Sequence, residues 1–121
     1  MAEKLPPHDI DAEEAVIGSL LIDGKAILQI TNLLPNADYF YHERNQWLYA
    51  ACMALYQRDE AINQITLAQE LDRQGKLENV GGAAYLSHLI SMVPTSLDIE
   101  HYAQIVYRLA LSRRLIYAAQ Q

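Results

Sequence analysis

The sequence has few of the features that cross-link a protein or hold it in a membrane. It contains a single cysteine, Cys52, among 121 residues, so no disulfide can form within the chain. No stretch approaches the roughly 20 apolar residues that a membrane-spanning helix needs. The longest candidate, residues 15–22, ends at Asp23, while Pro6 and Pro7 interrupt the segment where a signal peptide would be apolar. These shortages predict a cytoplasmic protein with no membrane anchor.

Basic residues are also scarce, with 9 Lys and Arg against 15 Asp and Glu and a formal net charge of −6. Affinity for phosphate groups comes from clustered Lys and Arg, so the composition argues against direct binding of DNA or RNA. The charge is uneven, because every charged residue after Glu100 is an arginine. Several acids instead crowd the N-terminus, where we expect a solvated first helical turn that complements the helix dipole: Glu3, Asp9, Asp11, Glu13 and Glu14.

Residue patterns that carry catalysis or bind cofactors are missing as well. Gly81-Gly82 precedes Ala-Ala-Tyr rather than the Lys-Ser/Thr with which a Walker loop holds phosphate and magnesium. The histidines are scattered, without the three- or four-residue pairing of a helical metal site. Cys52 lies in an apolar run, which predicts a buried hydrophobic side chain rather than a nucleophile. The sequence therefore predicts no catalytic residue, cofactor or metal in this chain.

The feature that the sequence does contain is helical periodicity. Hydrophobic residues make up 51% of the chain, which suffices for one core in a single domain over residues 1–121. Apolar residues recur every three or four positions, and no segment alternates as a strand would. Capping boxes are predicted for Asp11 with Glu14, Thr66 with Gln69, and Thr95 with Asp98. The sequence predicts an all-α fold, a compact orthogonal bundle of about six helices, at approximately residues 11–22, 25–34, 43–58, 67–74, 82–93 and 97–121.

The last of these helices carries two apolar stripes, and the chain stops there without a capping residue. A helix that is apolar on two faces packs against two elements, so we expect a truncated helix with one partner absent. Tyrosine favours interfaces because its rigid ring contributes area while the hydroxyl stays hydrated. Tyr107 and Tyr117, on the second face, are candidate partner-binding residues. Other tyrosines in helical register are expected at the border of the core: Tyr49, Tyr56 and Tyr102.

Five motifs follow one another along nearly the whole chain. The first spans residues 5–23 and begins Leu-Pro-Pro-His-Asp-Ile-Asp-Ala-Glu-Glu-Ala-Val, and the others fall within residues 38–51, 65–71, 77–86 and 100–116. In order and spacing they resemble the N-terminal domain of DnaB-like replicative DNA helicases. Departures from the family pattern are Asp11, where glutamate is common, and Asn63-Gln64, where an acidic residue is usual.

The resemblance implies a parent protein that is a hexameric ring ATPase and unwinds duplex DNA at the replication fork. Its ATP and Mg²⁺ sites would lie in a C-terminal RecA-like domain that is absent from this chain. The N-terminal domain would form a collar on the ring and dock primase, with a helicase loader as a further partner. The last helix would continue into a helical hairpin that pairs the subunits.

Asp11 and Tyr85 match motif positions that could face primase, and they are the candidate contact residues. The alternative reading makes Asp11 a helix cap and Tyr85 a border of the core. A second function class is a small helical DNA-binding regulator with a helix-turn-helix. Its recognition helix, residues 83–90, contains no Arg, Lys, Asn or Gln to read base edges. A small enzyme is a third class, disfavoured by the missing catalytic pattern.

Overall fold

Helices are the only regular elements in the computed structural model, which describes residues 5–120. The prediction of an all-α fold is therefore confirmed. Within these residues, no helix is both long and apolar enough to span a bilayer. Five α-helices and two 3-10 helices follow one another along the chain: α1 (Ile10–Ile22), a 3-10 helix at Gly24–Gln29, another at Ala37–Tyr39, α2 (Glu43–Gln57), α3 (Gln64–Arg73), α4 (Gly82–Ser91) and α5 (Ile99–Ala119).

The central element of the fold is α1, which contacts α2, α4, α5 and the first 3-10 helix. Every residue from 12 to 21 is buried, and Val16, Ile17 and Leu20 are fully excluded from solvent. A helix that is surrounded on all sides needs no polar face, which explains why its apolar residues do not form a single stripe. Helix α3 packs against α2 and α4 instead, and the 3-10 helix Ala37–Tyr39 packs against α2 and α5.

The segment after α1 differs from the prediction of an α-helix over residues 25–34. It forms a 3-10 helix at Gly24–Gln29, followed by turns that end at Leu34. Asp23 begins this element, since its carboxylate accepts a hydrogen bond from the backbone N–H of Lys25. The buried side chains of Ile27 and Ile30 are three residues apart, and this spacing fits the three residues per turn of a 3-10 helix. The short stretch before Pro35 thus buries its apolar side chains in the core without forming a regular α-helix.

Two predicted capping boxes are also wrong in detail. Helix α3 is capped by Asn63, whose side chain accepts from the N–H of Thr66, while the Thr66 hydroxyl accepts from the N–H of Asn63. Thr66 is therefore the third residue of the helix rather than its cap, because Asn63 has the extended backbone that a cap requires. At α5, Asp98 makes no capping hydrogen bond with its side chain, and Thr95 instead accepts from the N–H of Leu97.

The core contains two side chains whose polar groups bear on the sequence predictions. Cys52 is fully buried, as predicted, and burial raises the pKa of its thiol to about 12, so it stays protonated. Tyr49 lies inside the core rather than at its border, and its hydroxyl donates a 2.6 Å hydrogen bond to the carbonyl oxygen of Leu34. That bond satisfies the one polar group of an otherwise apolar side chain. Tyr56 and Tyr102 pack partly buried against the core, as expected.

A buried carboxylate joins α2 to α3. Glu70 is 3% exposed and accepts hydrogen bonds from Arg58 (2.7 Å), Arg73 (2.6 Å) and Gln74 (2.6 Å). The hydrogen bonds from Arg73 and Arg58 lower the pKa of Glu70 from 4.5 to about 2, against the opposing effect of burial. The carboxylate is thus charged in the folded protein throughout the neutral and mildly acidic range.

This shift predicts a pH dependence of stability. Because the pKa of Glu70 is lower in the folded state than in the unfolded chain, its contribution is present above pH 4.5 and lost as the pH falls towards 2. The Glu70→Gln variant should therefore lose less unfolding free energy than the parent between pH 4.5 and 2, as measured by urea denaturation. The exposed Glu78→Gln variant should keep the parent slope. Equal slopes for Glu70→Gln and the parent would contradict the assignment.

Candidate partner-binding surface

The N-terminal end of α1 is capped by Asp9, whose carboxylate accepts a 3.0 Å hydrogen bond from the N–H of Ala12. The prediction that Asp11 is the cap is therefore wrong. Asp9 has the extended backbone of a cap, whereas Asp11 lies within the first helical turn. Asp11 is exposed, and its carboxylate is free to complement the helix dipole or to meet a partner.

The two glutamates that follow are buried, which contradicts the expectation of a solvated acidic turn. Glu13 is 2% exposed and accepts three hydrogen bonds from the start of α2 and the residues before it. The donors are the backbone N–H of Tyr41 (2.6 Å), the backbone N–H of His42 (3.3 Å) and the side-chain amide of Asn45 (3.0 Å). A buried carboxylate is tolerated when hydrogen-bond donors surround it. Here the same hydrogen bonds also hold the N-terminal end of α2 against α1. Glu3 lies outside the described residues.

Glu14 forms a polar cluster with Arg44 of α2 and Tyr85 of α4. The Tyr85 hydroxyl donates a hydrogen bond to Glu14, and the Arg44 guanidinium lies 4.0 Å from the same carboxylate. The guanidinium also stacks on the Tyr85 ring, with 3.9 Å between its central carbon and the ring centroid. We call these three residues the Glu14 cluster.

The Glu14 cluster is open to solvent on its Arg44 side. Tyr85 is half-buried. Its burial, and to a lesser extent its hydrogen bond to Glu14, raises the pKa of the phenol, so the hydroxyl stays protonated and can donate a hydrogen bond. The Nε atom of Arg44 is buried without a hydrogen-bond partner among residues 5–120. The cluster therefore offers an aromatic edge and a guanidinium that are held in one orientation by Glu14.

Tyr85 contacts the same end of α1 that carries Asp11, although the two residues are far apart in sequence. Asp11 and Glu14 are three residues apart on one helix, so their side chains lie on the same side, one turn from each other. Tyr85 reaches this side through its bond to Glu14. The structure thus combines a carboxylate, an aromatic edge and a guanidinium in one surface region at this end of α1.

The other two candidate tyrosines differ in exposure. Tyr107 is half-buried and stacks on Tyr39, with 6.0 Å between ring centroids, so much of its ring is used within the domain. Tyr117 is 48% exposed near the end of α5. It lies with Leu115 and Ile116 in the last part of the helix, where every residue from 114 to 120 is exposed. The structure therefore leaves Tyr117 available to a partner and Tyr107 largely occupied.

Arg113 is buried, unlike the other two arginines of α5, Arg108 and Arg114. It donates to the carbonyl oxygens of Pro7 (2.9 Å) and Tyr39 (2.8 Å), and its guanidinium lies over the Tyr41 ring. Burial lowers the pKa of Arg113. Arg113 thus ties the segment before α1 to α5. Within residues 5–120, no group of three or more His, Cys, Asp or Glu side chains is arranged to hold a metal ion.

Comparison with known proteins agrees with this arrangement of helices. The family model of the DnaB-like helicase N-terminal domain matches residues 5–108. The chain belongs to this family. It is 44% identical over 113 residues to the replicative DNA helicase DnaB of Mycobacterium leprae, covering 93% of this chain and 18% of that protein. It is 36% identical over 118 residues to DnaB of Geobacillus stearothermophilus, covering 98% of this chain and 26% of that protein. The chain thus spans about a fifth to a quarter of these relatives.

Solved structures show the same DnaB-like fold. The N-terminal domain of DnaB helicase from Mycobacterium tuberculosis superposes with a TM-score of 0.92 at 42% identity, over 96% of this chain and 80% of that one. A DnaB-like replicative helicase, described with its interactions with primase, superposes with a TM-score of 0.82 at 24% identity. That alignment covers 93% of this chain and 26% of the other, and at this identity it supports the fold alone.

Sequence reasoning missed Arg44, Asn45 and the burial of both glutamates. One signal was present: Glu13 and Glu14 stand in the most apolar helix of the chain, without a Lys or Arg three or four residues away. Carboxylates in such a setting need partners from other elements. Which elements supply them depends on contacts that a single sequence does not display.

Proposed function

We propose that this chain is the N-terminal interaction domain of a replicative DNA helicase, where it docks primase and joins the collar of a hexameric ring. The observation that carries the proposal is the family match over residues 5–108. The likeness in fold to a helicase described with its interactions with primase adds support. The family match also favours this function over a small DNA-binding regulator.

The parent protein in this proposal is an ATP-dependent DNA helicase at the cytoplasmic replication fork. Its relatives are replicative DNA helicases of which this chain spans 18% to 26%. ATP and Mg²⁺ would bind in a domain outside this chain, and the segment itself would catalyse no reaction. Other helicase subunits and a helicase loader are further proposed partners.

The primase contact is assigned to the surface formed by Asp11 and the Glu14 cluster. Asp11 provides an exposed charge, while Arg44 and Tyr85 provide a stacked cation and aromatic edge of the kind enriched at interfaces. Subunit pairing is assigned to the exposed end of α5, where Leu115, Ile116 and Tyr117 would pack against the second helix of a hairpin. Tyr107 would support this pairing indirectly, because its ring stacks on Tyr39 and so positions α5.

Calorimetric titration with the C-terminal helicase-binding domain of the cognate primase tests the docking proposal. We expect saturable binding, weakened about tenfold by Tyr85→Ala because a partly desolvated aromatic anchor is lost. Asp11→Ala should weaken binding about two- to fivefold, as is usual for an exposed charge. The matched controls Asp72→Ala and Tyr117→Ala, which change exposed residues on α3 and α5, should keep the parent affinity.

Two results would contradict this assignment. Unchanged affinity in both folded variants would remove Asp11 and Tyr85 as contact residues. No binding by the folded chain would show that this segment alone does not dock primase. Circular dichroism of each variant establishes that it is folded.

A further inference from the structure

A groove opens at the opposite end of α1 from Asp11. It lies between the 3-10 helix Gly24–Gln29 and the loop that joins α2 to α3, and its volume is about 600 Å³. Because α1 contains 13 residues, about 20 Å separates this groove from the N-terminal end of the helix. The side chains that line it are mostly apolar: Ile22, Ile27, Leu28, Tyr56 and Ile62.

The apolar residues at the edges of the groove are exposed to water, whereas those at its floor are buried. Ile27 and Ile62 are buried and form its floor, whereas Leu28 is 63% exposed and Ile22 is 41% exposed at its edges. Exposed aliphatic side chains that surround a concave surface are typical of a binding site. The volume is within the range of pockets that accept one or two side chains or a small molecule.

The rim of the groove is acidic. Asp23, Asp59 and Glu60 line it together with a single base, Lys25. Glu60 is paired with Arg58 at 3.0 Å, but neither Asp23 nor Asp59 has an ion-pair partner within residues 5–120. An occupant that places positive charge beside an apolar group would complement both the walls and the rim.

The arginines near the C-terminal end of α5 lie far from the groove. Arg113 is hydrogen-bonded to Pro7, just before the N-terminal end of α1, whereas the groove begins at Ile22 at the other end. No residue of α5 lines the groove, so the arginines of that helix do not supply its positive charge.

We propose that this groove binds a linear segment of a partner protein that presents leucine or isoleucine side chains flanked by arginine or lysine. The aliphatic side chains enter between Leu28 and Ile62, and the flanking cations lie near Asp23 and Asp59. The groove shares no residue with the surface assigned to primase, so a negative result for one site does not affect the proposal for the other.

The probe is the peptide acetyl-Arg-Leu-Leu-Arg-amide, titrated into the ¹⁵N-labelled chain and followed by two-dimensional NMR. Saturable shifts are expected at the backbone amides of Gly24, Leu28 and Ala61, which line the groove. Two matched peptides separate the contributions. Acetyl-Glu-Leu-Leu-Glu-amide keeps the aliphatic side chains but reverses the charge, and acetyl-Arg-Ser-Ser-Arg-amide keeps the charge but removes the apolar groups. Both should bind more weakly.

Variants of the chain locate the site. Leu28→Ser should raise the Kd of the Arg-Leu-Leu-Arg peptide about tenfold because an apolar contact is lost. Asp59→Asn should raise it about two- to fivefold; Asp59 has a φ of 59°, a conformation that asparagine also tolerates. Leu97→Ser is the control, because Leu97 is 84% exposed and lies outside the groove.

Several outcomes would overturn the proposal. These are shifts that map away from the groove, equal binding of the acidic peptide, or an absence of saturable shifts. Self-association of the unliganded chain that Leu28→Ser abolishes would make a second copy of this chain the occupant instead.

Discussion

Replacing Glu13 with alanine is expected to lower the free energy of unfolding by about 3–5 kcal/mol. The substitution leaves three donors without their acceptor, namely the backbone N–H groups of Tyr41 and His42 and the side-chain amide of Asn45. Water does not readily replace the carboxylate, because Glu13 and Asn45 are both buried. Urea denaturation followed by circular dichroism, with linear extrapolation, measures the change.

The control for this prediction is Glu78→Ala, which removes a carboxylate from an exposed position. We expect it to change the free energy of unfolding by no more than about 0.5 kcal/mol. Glu13→Gln keeps one acceptor oxygen but turns an amide towards the donors, so its loss should be intermediate. A change for Glu13→Ala as small as that of Glu78→Ala would show that the hydrogen bonds to Glu13 do not stabilise the fold.

Replacing Gly18 with alanine should destabilise the protein by about 1–3 kcal/mol through overpacking between α1 and α4. A Cβ atom at Gly18 would overlap the carbonyl oxygen of Leu89 and lie 3.3 Å from a methyl carbon of Val93. The carbonyl belongs to the backbone of α4, so it cannot rotate away as a flexible side chain could. The two helices must separate to admit the methyl group.

The sign of this effect distinguishes packing from helix propensity. In an exposed helix, glycine to alanine stabilises by about 1 kcal/mol, so a stabilised variant would contradict the close approach of α1 and α4. Ala50→Met adds a larger side chain at an exposed position of α2 and should change the free energy by less than about 0.5 kcal/mol. Thermal and urea unfolding of both variants provide the measurement.

Helix positions were predictable where the signal was local. Helix α2 was expected over residues 43–58 and spans Glu43–Gln57, because its apolar residues recur at helical spacing. Errors appeared where several residues could serve the same local role. Asp9 and Asp11 both have the chemistry of a cap, as do Asn63 and Thr66, and the backbone conformation decided between them.

The candidate surface was only partly predictable. Asp11 is exposed, as expected, and the motif resemblance led to Tyr85, but the sequence did not indicate that Arg44 covers the Tyr85 ring. Residues 14 and 85 are 71 positions apart, so no local pattern connects them. The assignment of both residues to primase docking remains a prediction.

The sequence by itself determined that this chain is all-helical, that Cys52 is buried and that the family is that of DnaB-like helicase N-terminal domains. Periodicity, composition and the order of motifs can be read directly from the sequence, because none of them depends on which distant residues come into contact. The tertiary structure alone decided the burial of Glu13, since its partners are 28 to 32 positions away. It also decided the bond between Arg113 and Pro7, which joins residues 106 positions apart. Buried charges need such partners because desolvation is costly, and only packing of the whole chain brings the partners within hydrogen-bonding distance.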